Sequence, residues 1–365
     1  MGCKSAMALD SVTDMYAKAV CGPELPAGTS LLDGANRITG MLNSGGFGII
    51  YSARDSRGQT VVLKECFPAT LCRRDGTSVC PQSADKHDRF AAVLAAFVTE
   101  ARVLTGLAYP GIVRAHRLFH ANGTAYLAMD HLPGRDILDI LDQRARSFAP
   151  AEIVTLARKL IATVGHLHSK GLVHCDIALD NIILTQRDGP VLIDFGAVRP
   201  AVAQPDQAFC GPRVVKDGYS PPEQYMPGAP LGPASDLYAL AASLYHLISG
   251  VLPANGDARL AARDQNQADP CAPLAGTIAG YPAGFLASID RAMAVHPDDR
   301  IASAGAWLSL VQPRPEKPVL LLRRSVADAH LPKSVGGNGL QLTLGAVGAV
   351  AARAAGGLLD QPALG

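Results

Sequence analysis

Apolar and polar positions change period twice along the chain. Between residues 36 and 67, apolar and β-branched residues come in short runs at 37–42, 48–53 and 60–67, which predicts three strands. Asn43-Ser44-Gly45-Gly46-Phe47 joins the first two and Asp55-Ser56-Arg57-Gly58 the last two; glycine-containing turns between such runs are hairpin signals. A polar stretch with scattered Cys and Pro follows. Then Phe90, Val93, Leu94, Phe97, Glu100, Ala101 and Leu104 recur at helical spacing. Residues 112–118 and 124–129 return to strand character. Beyond them the texture is mainly helical. Ile153, Leu156, Leu160, Ile161, Val164 and Leu167 form one apolar face behind Pro150, and an apolar helix over 237–248 ends at Gly250. Two short strands, 181–184 and 191–194, lie between these helices.

This order predicts an α+β fold with two lobes. A small β-rich lobe with one helix spans 36–130, and a larger, mainly helical lobe spans 131–311. Residues 1–35 read as an irregular N-terminal extension, broken by Pro23, Pro26 and Gly28. Pro313, Pro315 and Pro318 mark a linker, and 312–365 runs on into an Ala-, Gly- and Leu-rich tail. Gln341 and Arg353 interrupt the apolar stretch 340–359, and a spanning helix needs about 20 apolar residues. The expectation there is an appended helix or tail rather than membrane association.

Composition narrows the function classes. Apolar types make up 48% of 365 residues and charged types 18%, which excludes disorder of the whole chain. Basic and acidic residues nearly balance, 33 against 32, so no global field draws the chain to nucleic acid, and no nucleic-acid partner is expected. Eight cysteines are too sparse for a disulfide scaffold, and Cys66, Cys72 and Cys80 lack zinc-site spacing. Met1-Gly2-Cys3 faintly resembles an acylation signal but has Ala at the sixth position. With no secretory signal either, reduced thiols and a cytoplasmic location are expected.

Moving a phosphoryl group demands backbone N–H groups near the phosphates, a cation, and carboxylates that hold Mg²⁺. The chain offers these in order. Asn43, Gly45, Gly46 and Gly48 lie in a strand–turn–strand setting where backbone can approach phosphates, although such glycines also serve plain hairpins. Lys64 ends an apolar strand, where a charge is costly unless paired; Glu100 is its natural partner, and snorkelling to water is the alternative. His174-Cys175-Asp176-Ile177-Ala178-Leu179-Asp180-Asn181 precedes a strand, and Asp194-Phe195-Gly196 follows the next. Asn181 and Asp194 could converge on Mg²⁺, leaving Asp176 to receive or orient a hydroxyl proton. His174 reads as a packed loop histidine.

In these motifs the region 37–311 resembles a eukaryotic-type protein kinase domain, specifically the bacterial Ser/Thr kinases of that fold. Gly45, Gly46 and Gly48 resemble the glycine-rich loop, Lys64 the β3 lysine and Glu100 the αC glutamate. Met129 stands at the gatekeeper, with Asp130 and Leu132 in the hinge. Asp176, Asn181 and Asp194 match the catalytic loop and the D-F-G aspartate. Pro221-Pro222-Glu223 sits where A-P-E sits, Asp236 opens the αF position, and Arg300 matches the arginine that pairs with the A-P-E glutamate. The resemblance implies ATP and Mg²⁺ as cofactors and protein Ser/Thr hydroxyls as acceptors. Lys64 would hold the α/β-phosphates with Glu100 fixing it. Asn181 and Asp194 would ligate Mg²⁺, and Asp176 would be the base. Hinge backbone would bind adenine, with Ile50 and Val62 lining the nucleotide site.

Three positions depart from the family pattern. Asn43 replaces the first glycine of the loop. Cys175 replaces the arginine that reads an activation-loop phosphate, and residues 197–218 contain no Ser or Thr. Ala178 replaces a lysine that neutralises the γ-phosphate. Lys216, where the family usually has Thr, is expected to supply that missing cation; a solvated loop lysine is the bland alternative. The departures leave two other readings open, a pseudokinase acting as a binding or scaffold module and a small-molecule phosphotransferase of the aminoglycoside type.

Overall fold

Short alternating segments of the first lobe pair into one antiparallel sheet. It comprises β1 (Ser30–Leu31), β2 (Asn36–Ser44), β3 (Gly48–Asp55), β4 (Thr60–Cys66) and, later in the chain, β7 (Ala115–Ala121) and β8 (Thr124–Asp130), in the order β1-β2-β3-β4-β8-β7. The computed structural model describes residues 23–46, 48–187, 189–201 and 214–312, all within one unit, Met1–Arg314. Thr124 to Ala128 are buried at consecutive positions, so both sheet faces are covered rather than one. One face packs on α1 (His87–Thr105) through Phe97, Val98, Ala101 and Leu104. The other carries its own core, with Leu25, Leu31, Tyr51, Leu63 and Tyr126. That second core draws in residues upstream of 36: Leu25 and Leu31 are buried, and β1 pairs with β2.

The polar stretch before α1 contains a hairpin, β5 (Cys72–Asp75) and β6 (Ser78–Pro81), which the pattern of residues did not suggest. Its strands are four residues long, and only Cys72 and Val79 are buried in the core, too short an alternation to register. The local cue is Asp75-Gly76, with Gly76 at φ +59°, a tight-turn conformation glycine adopts without strain.

The helical lobe is built on β9 (Gly134–Asp136), α2 (Ile137–Asp142), α3 (Pro150–Ser169), β10 (Leu172–Val173), β11 (Ile182–Thr185), β12 (Gly189–Leu192) and β13 (Arg199–Pro200). They are followed by α4 (Pro222–Tyr225), α5 (Pro233–Ser249), α6 (Gly256–Asp264), α7 (Phe285–Ala292) and α8 (Ala304–Val311). Every residue of α5 from Ser235 to Leu247 is buried, the signature of a central helix packed all round. It stops at Gly250, whose φ of +70° closes the helix end in a left-handed turn. Ile112 and Val113, expected to open a strand, instead join this lobe: Val113 N–H donates to Leu192 O at 3.0 Å. β7 therefore starts later, at Ala115.

A buried ion pair ties α4 to the far end of the lobe. Arg300 donates to Glu223 through both terminal nitrogens, at 2.7 and 2.8 Å, and Ser235 Oγ donates to the same carboxylate. Burial pushes the Glu223 carboxyl up, but the Arg300 hydrogen bonds and charge outweigh it, so its pKa falls below the ordinary value. Its contribution is therefore present above the unfolded-state pKa, about 4.3, and is lost as pH falls through the lower folded value. Arg300→Met strands a buried carboxylate and should cost about 3–5 kcal/mol at pH 7. Urea unfolding at pH 7 and pH 4 should show that cost shrinking at the lower pH; a cost that does not change between them contradicts the assignment.

Candidate active site

β4 alternates, placing Val61, Leu63 and Glu65 on one face and Lys64 on the other, opposite Ile50 of β3 and Leu127 of β8. The cation needs partners, and two arrive from distant segments. Lys64 Nζ lies 3.3 Å from Glu100 Oε1 on α1 and 2.8 Å from Asp194 Oδ1. Burial works against the ammonium, but the charges of Glu100 and Asp194 overcome it and raise its pKa. In return Lys64 holds Asp194 down at about 2. Burial pushes Glu100 upward. Lys64 is thus a fixed cation bridging the two lobes.

The loop carrying Asp176 is set by Asp236 in the first turn of α5. Asp236 is fully buried and accepts N–H groups of His174 at 2.8 Å and Cys175 at 2.9 Å. His168 Nε2 lies 2.9 Å from the same carboxylate. Cys175 and Asp194 have φ of +63° and +56°. Left-handed backbone costs a non-glycine residue on the order of 1–3 kcal/mol, and such strain persists where surroundings fix it. The positive φ also ends the strand before Asp194, so β12 stops at Leu192 rather than running on. His174 is buried edge-on to Phe195, with ring centroids 4.7 Å apart.

Asp176 accepts from Asn181 Nδ2 at 2.9 Å. Lys216 Nζ stands 3.7 Å from Asp176 and donates to both oxygens of Asp180 at 2.8 and 2.9 Å. Burial pushes the Asp176 carboxyl up to about 6, against the opposing charge of Lys216. Ala178 is fully buried.

A cavity of about 280 Å³ opens between these elements. Asn43, Gly45, Gly46, Gly48, Ile50, Lys64, Glu100, Asp176 and Asp194 all line it. Gly48 is required there for steric reasons: a Cβ on it would stand 2.6 Å from Glu65 O. Val62, Asp130 and Leu132 are not on its wall. Val62 pairs with Met129 across β4 and β8, and the Asp130 carboxylate lies 2.7 Å from His116 Nε2. Asn181 and Lys216 also stand off the wall, joined to it through Asp176. Among the described residues no group of three His, Cys, Asp or Glu side chains could hold a metal ion. Phe47 and residues 202–213 of the predicted loops lie outside the described residues, as do most of residues 1–35 and the tail from 313, with its apolar stretch 340–359. No helix of the described residues is long and apolar enough to cross a membrane.

Two participants escaped the sequence reading. Cys66 lines the cavity two residues beyond Lys64, its thiol pushed up to about 12 by burial. Asp180 holds Lys216; its place beside Asn181 was visible, but only the fold brings residue 216 to it.

Residues 37–275 match the family described as protein kinase domain. The chain is 30% identical over 292 residues to the serine/threonine-protein kinase PknA of Nostoc sp., covering 77% of this chain and 48% of that one. It is 28% identical over 273 residues to the serine/threonine-protein kinase PknD of Mycobacterium tuberculosis, covering 74% and 38%. The chain thus spans about half or less of these relatives' length. The solved structure "PpkA-294 apo form" superposes with a TM-score of 0.68 at 31% identity, covering 80% of this chain and all of that one.

The titration of Asp176 tests the site. A ¹³C NMR titration of its carboxyl in ligand-free protein should give a midpoint about 6, against about 3.9 for an unperturbed aspartate. Lys216→Ala should move the midpoint further up, because it removes the nearby cation. An ordinary midpoint, or one that Lys216→Ala lowers, contradicts the geometry.

Proposed function

The chain belongs to the protein kinase family, in its bacterial Ser/Thr branch, and we propose that it transfers the γ-phosphoryl group of ATP to Ser or Thr hydroxyls of proteins with the help of Mg²⁺. The observation that carries this reading is the Lys64 cation held between Glu100 and Asp194 on the wall of a cavity that also exposes Asp176. Lys64 would hold the α/β-phosphates beneath the glycine-rich turn, and hinge backbone around Asp130 and Leu132 would take adenine beside Val62. The donor set suits Mg²⁺: an ionised Asp194 and the amide oxygen of Asn181, a sparse pair that leaves room for phosphate oxygens and water. When bound, the ion would neutralise phosphate charge. Asp176 would take the proton of the attacking hydroxyl, a task favoured by a pKa pushed toward neutrality.

The buried Ala178 provides no charge, and Lys216 stands within 3.7 Å of the base. This supports Lys216 as the cation for the terminal phosphate, held in place by Asp180. The nest around Cys175 supports a second element of the reading. Val173, Cys175 and Ala197 form a small apolar cluster with Ala201, Val214 and Leu231 packed on it, and residue 175 itself offers no cation to read a phosphate. Together with the lack of Ser and Thr over 197–218, this favours activity without activation-loop phosphorylation. The Glu223–Arg300 pair favours a protein acceptor over a small molecule, because in the resembled family it supports the peptide-accepting loop.

Lys216→Ala should lower kcat by roughly tenfold or more, the low end of what a charge contact to a transition state contributes. Adding Ala178→Lys should restore part of the loss, and Asp176→Asn should abolish transfer of labelled phosphate. Phosphatase treatment should leave the rate of the purified protein unchanged. A normal rate in Lys216→Ala contradicts the assignment of that residue. Inability of the wild type to label any protein acceptor contradicts the activity.

A further inference from the structure

Glu65, the neighbour of Lys64, points the other way, into the second core of the sheet. It is fully buried, an unusual place for a carboxylate. Tyr126 lies directly across from it on β8 and Tyr51 diagonally on β3. Both hydroxyls donate to it, Tyr51 at 2.8 Å. Arg74, from the hairpin β5–β6, donates at 2.5 Å with its own side chain 5% exposed.

Arg74 and Tyr51 gather the surrounding chain onto this carboxylate. Arg74 also donates to Pro23 O at 2.6 Å and Thr77 O at 3.0 Å, and stacks over Phe67. Tyr51 accepts the N–H of Leu25 at 3.0 Å. The hairpin is tied in turn to the β7–β8 turn by Val79 N–H to Asn122 O, 2.7 Å. The strand that presents Lys64 to the cavity is thereby gripped from behind by a charged clamp made of the hairpin and the segment at 23–25. Nothing in the phosphoryl-transfer chemistry calls for these groups, and a buried charge pair is a costly way merely to fill a core.

The geometry points to Glu65 and Arg74 as positioning residues for Lys64: the pair fixes the placement of β4 and so sets the grip of the site on nucleotide phosphates. This rests on the nucleotide reading above. Removing Arg74 alone leaves a buried carboxylate without its cation, and β4 must shift to hydrate it. Removing both charges takes away the reason to shift.

Lys64 would touch phosphates and not adenosine, which separates positioning from general damage. Calorimetry of the full chain with a non-hydrolysable ATP analogue plus Mg²⁺, and separately with adenosine, makes the test. Arg74→Met should weaken analogue binding roughly tenfold or more and leave adenosine binding within about twofold, while the double variant Glu65→Gln/Arg74→Met recovers the analogue to within about threefold of wild type. Unchanged analogue binding in folded Arg74→Met, equal losses for both ligands, or no recovery in the double variant overturns the inference. Should Arg74→Met fail to fold, Arg74→Lys keeps the charge but not the hydrogen-bond fork, and should weaken the analogue by about threefold or more with adenosine unchanged; wild-type binding there overturns the inference. Wild-type protein that binds neither ligand refutes the nucleotide reading itself.

Discussion

One ammonium group, placed where water cannot easily reach it, dictates the arrangement of the site. Lys64 sits inside an apolar strand, and a buried cation is tolerated only with close counter-charges. Glu100 comes from a helix of the same lobe and Asp194 from a loop of the other. Both carboxylates close on the one lysine, which ties the helix, the sheet and the loop after β12 together at this point. Backbone strain at Asp194 is borne at the same point. Two carboxylates and one cation leave a net negative charge beside an open cavity.

The second lobe repeats this logic with Asp236 as the organiser. A single buried carboxylate gathers consecutive backbone N–H groups and so fixes the loop bearing Asp176 and Asn181. Residue 178 is a buried alanine, and the ammonium of Lys216, from the segment before α4, stands 3.7 Å from Asp176 and is anchored by Asp180. Cys175 lies in a small apolar cluster with Val173 and Ala197.

Most of this architecture was legible because it is written in local patterns. The three first strands, helix α1, helix α3 behind Pro150 and helix α5 ending at Gly250 follow from alternation, helical spacing and turn chemistry. Lys64, Glu100, Asp176, Asn181 and Asp194 were visible as residues too costly or too specifically spaced to be filler. What escaped depends on tertiary placement. The hairpin β5–β6 has strands too short to show a period. Leu25 and Leu31 look like tail residues until the exposed back of the sheet needs covering. Glu65 continues the apolar row of Val61 and Leu63, and that conflict with the pattern was itself a readable signal, although its partner Arg74 was not. Asp180 and Lys216 are distant in sequence, and only the fold joins them.

The central claim is that the separated cations Lys64 and Lys216 grip successive phosphates of one nucleotide. A crystal structure of the chain with a non-hydrolysable ATP analogue and Mg²⁺ tests it most directly. The account predicts the α- and β-phosphates on Lys64 Nζ, the metal between Asp194 and Asn181, and the terminal phosphate within hydrogen-bond reach of Lys216 Nζ. A nucleotide bound outside this cavity, or a terminal phosphate that no lysine touches while Lys216 stays on Asp180, would contradict it.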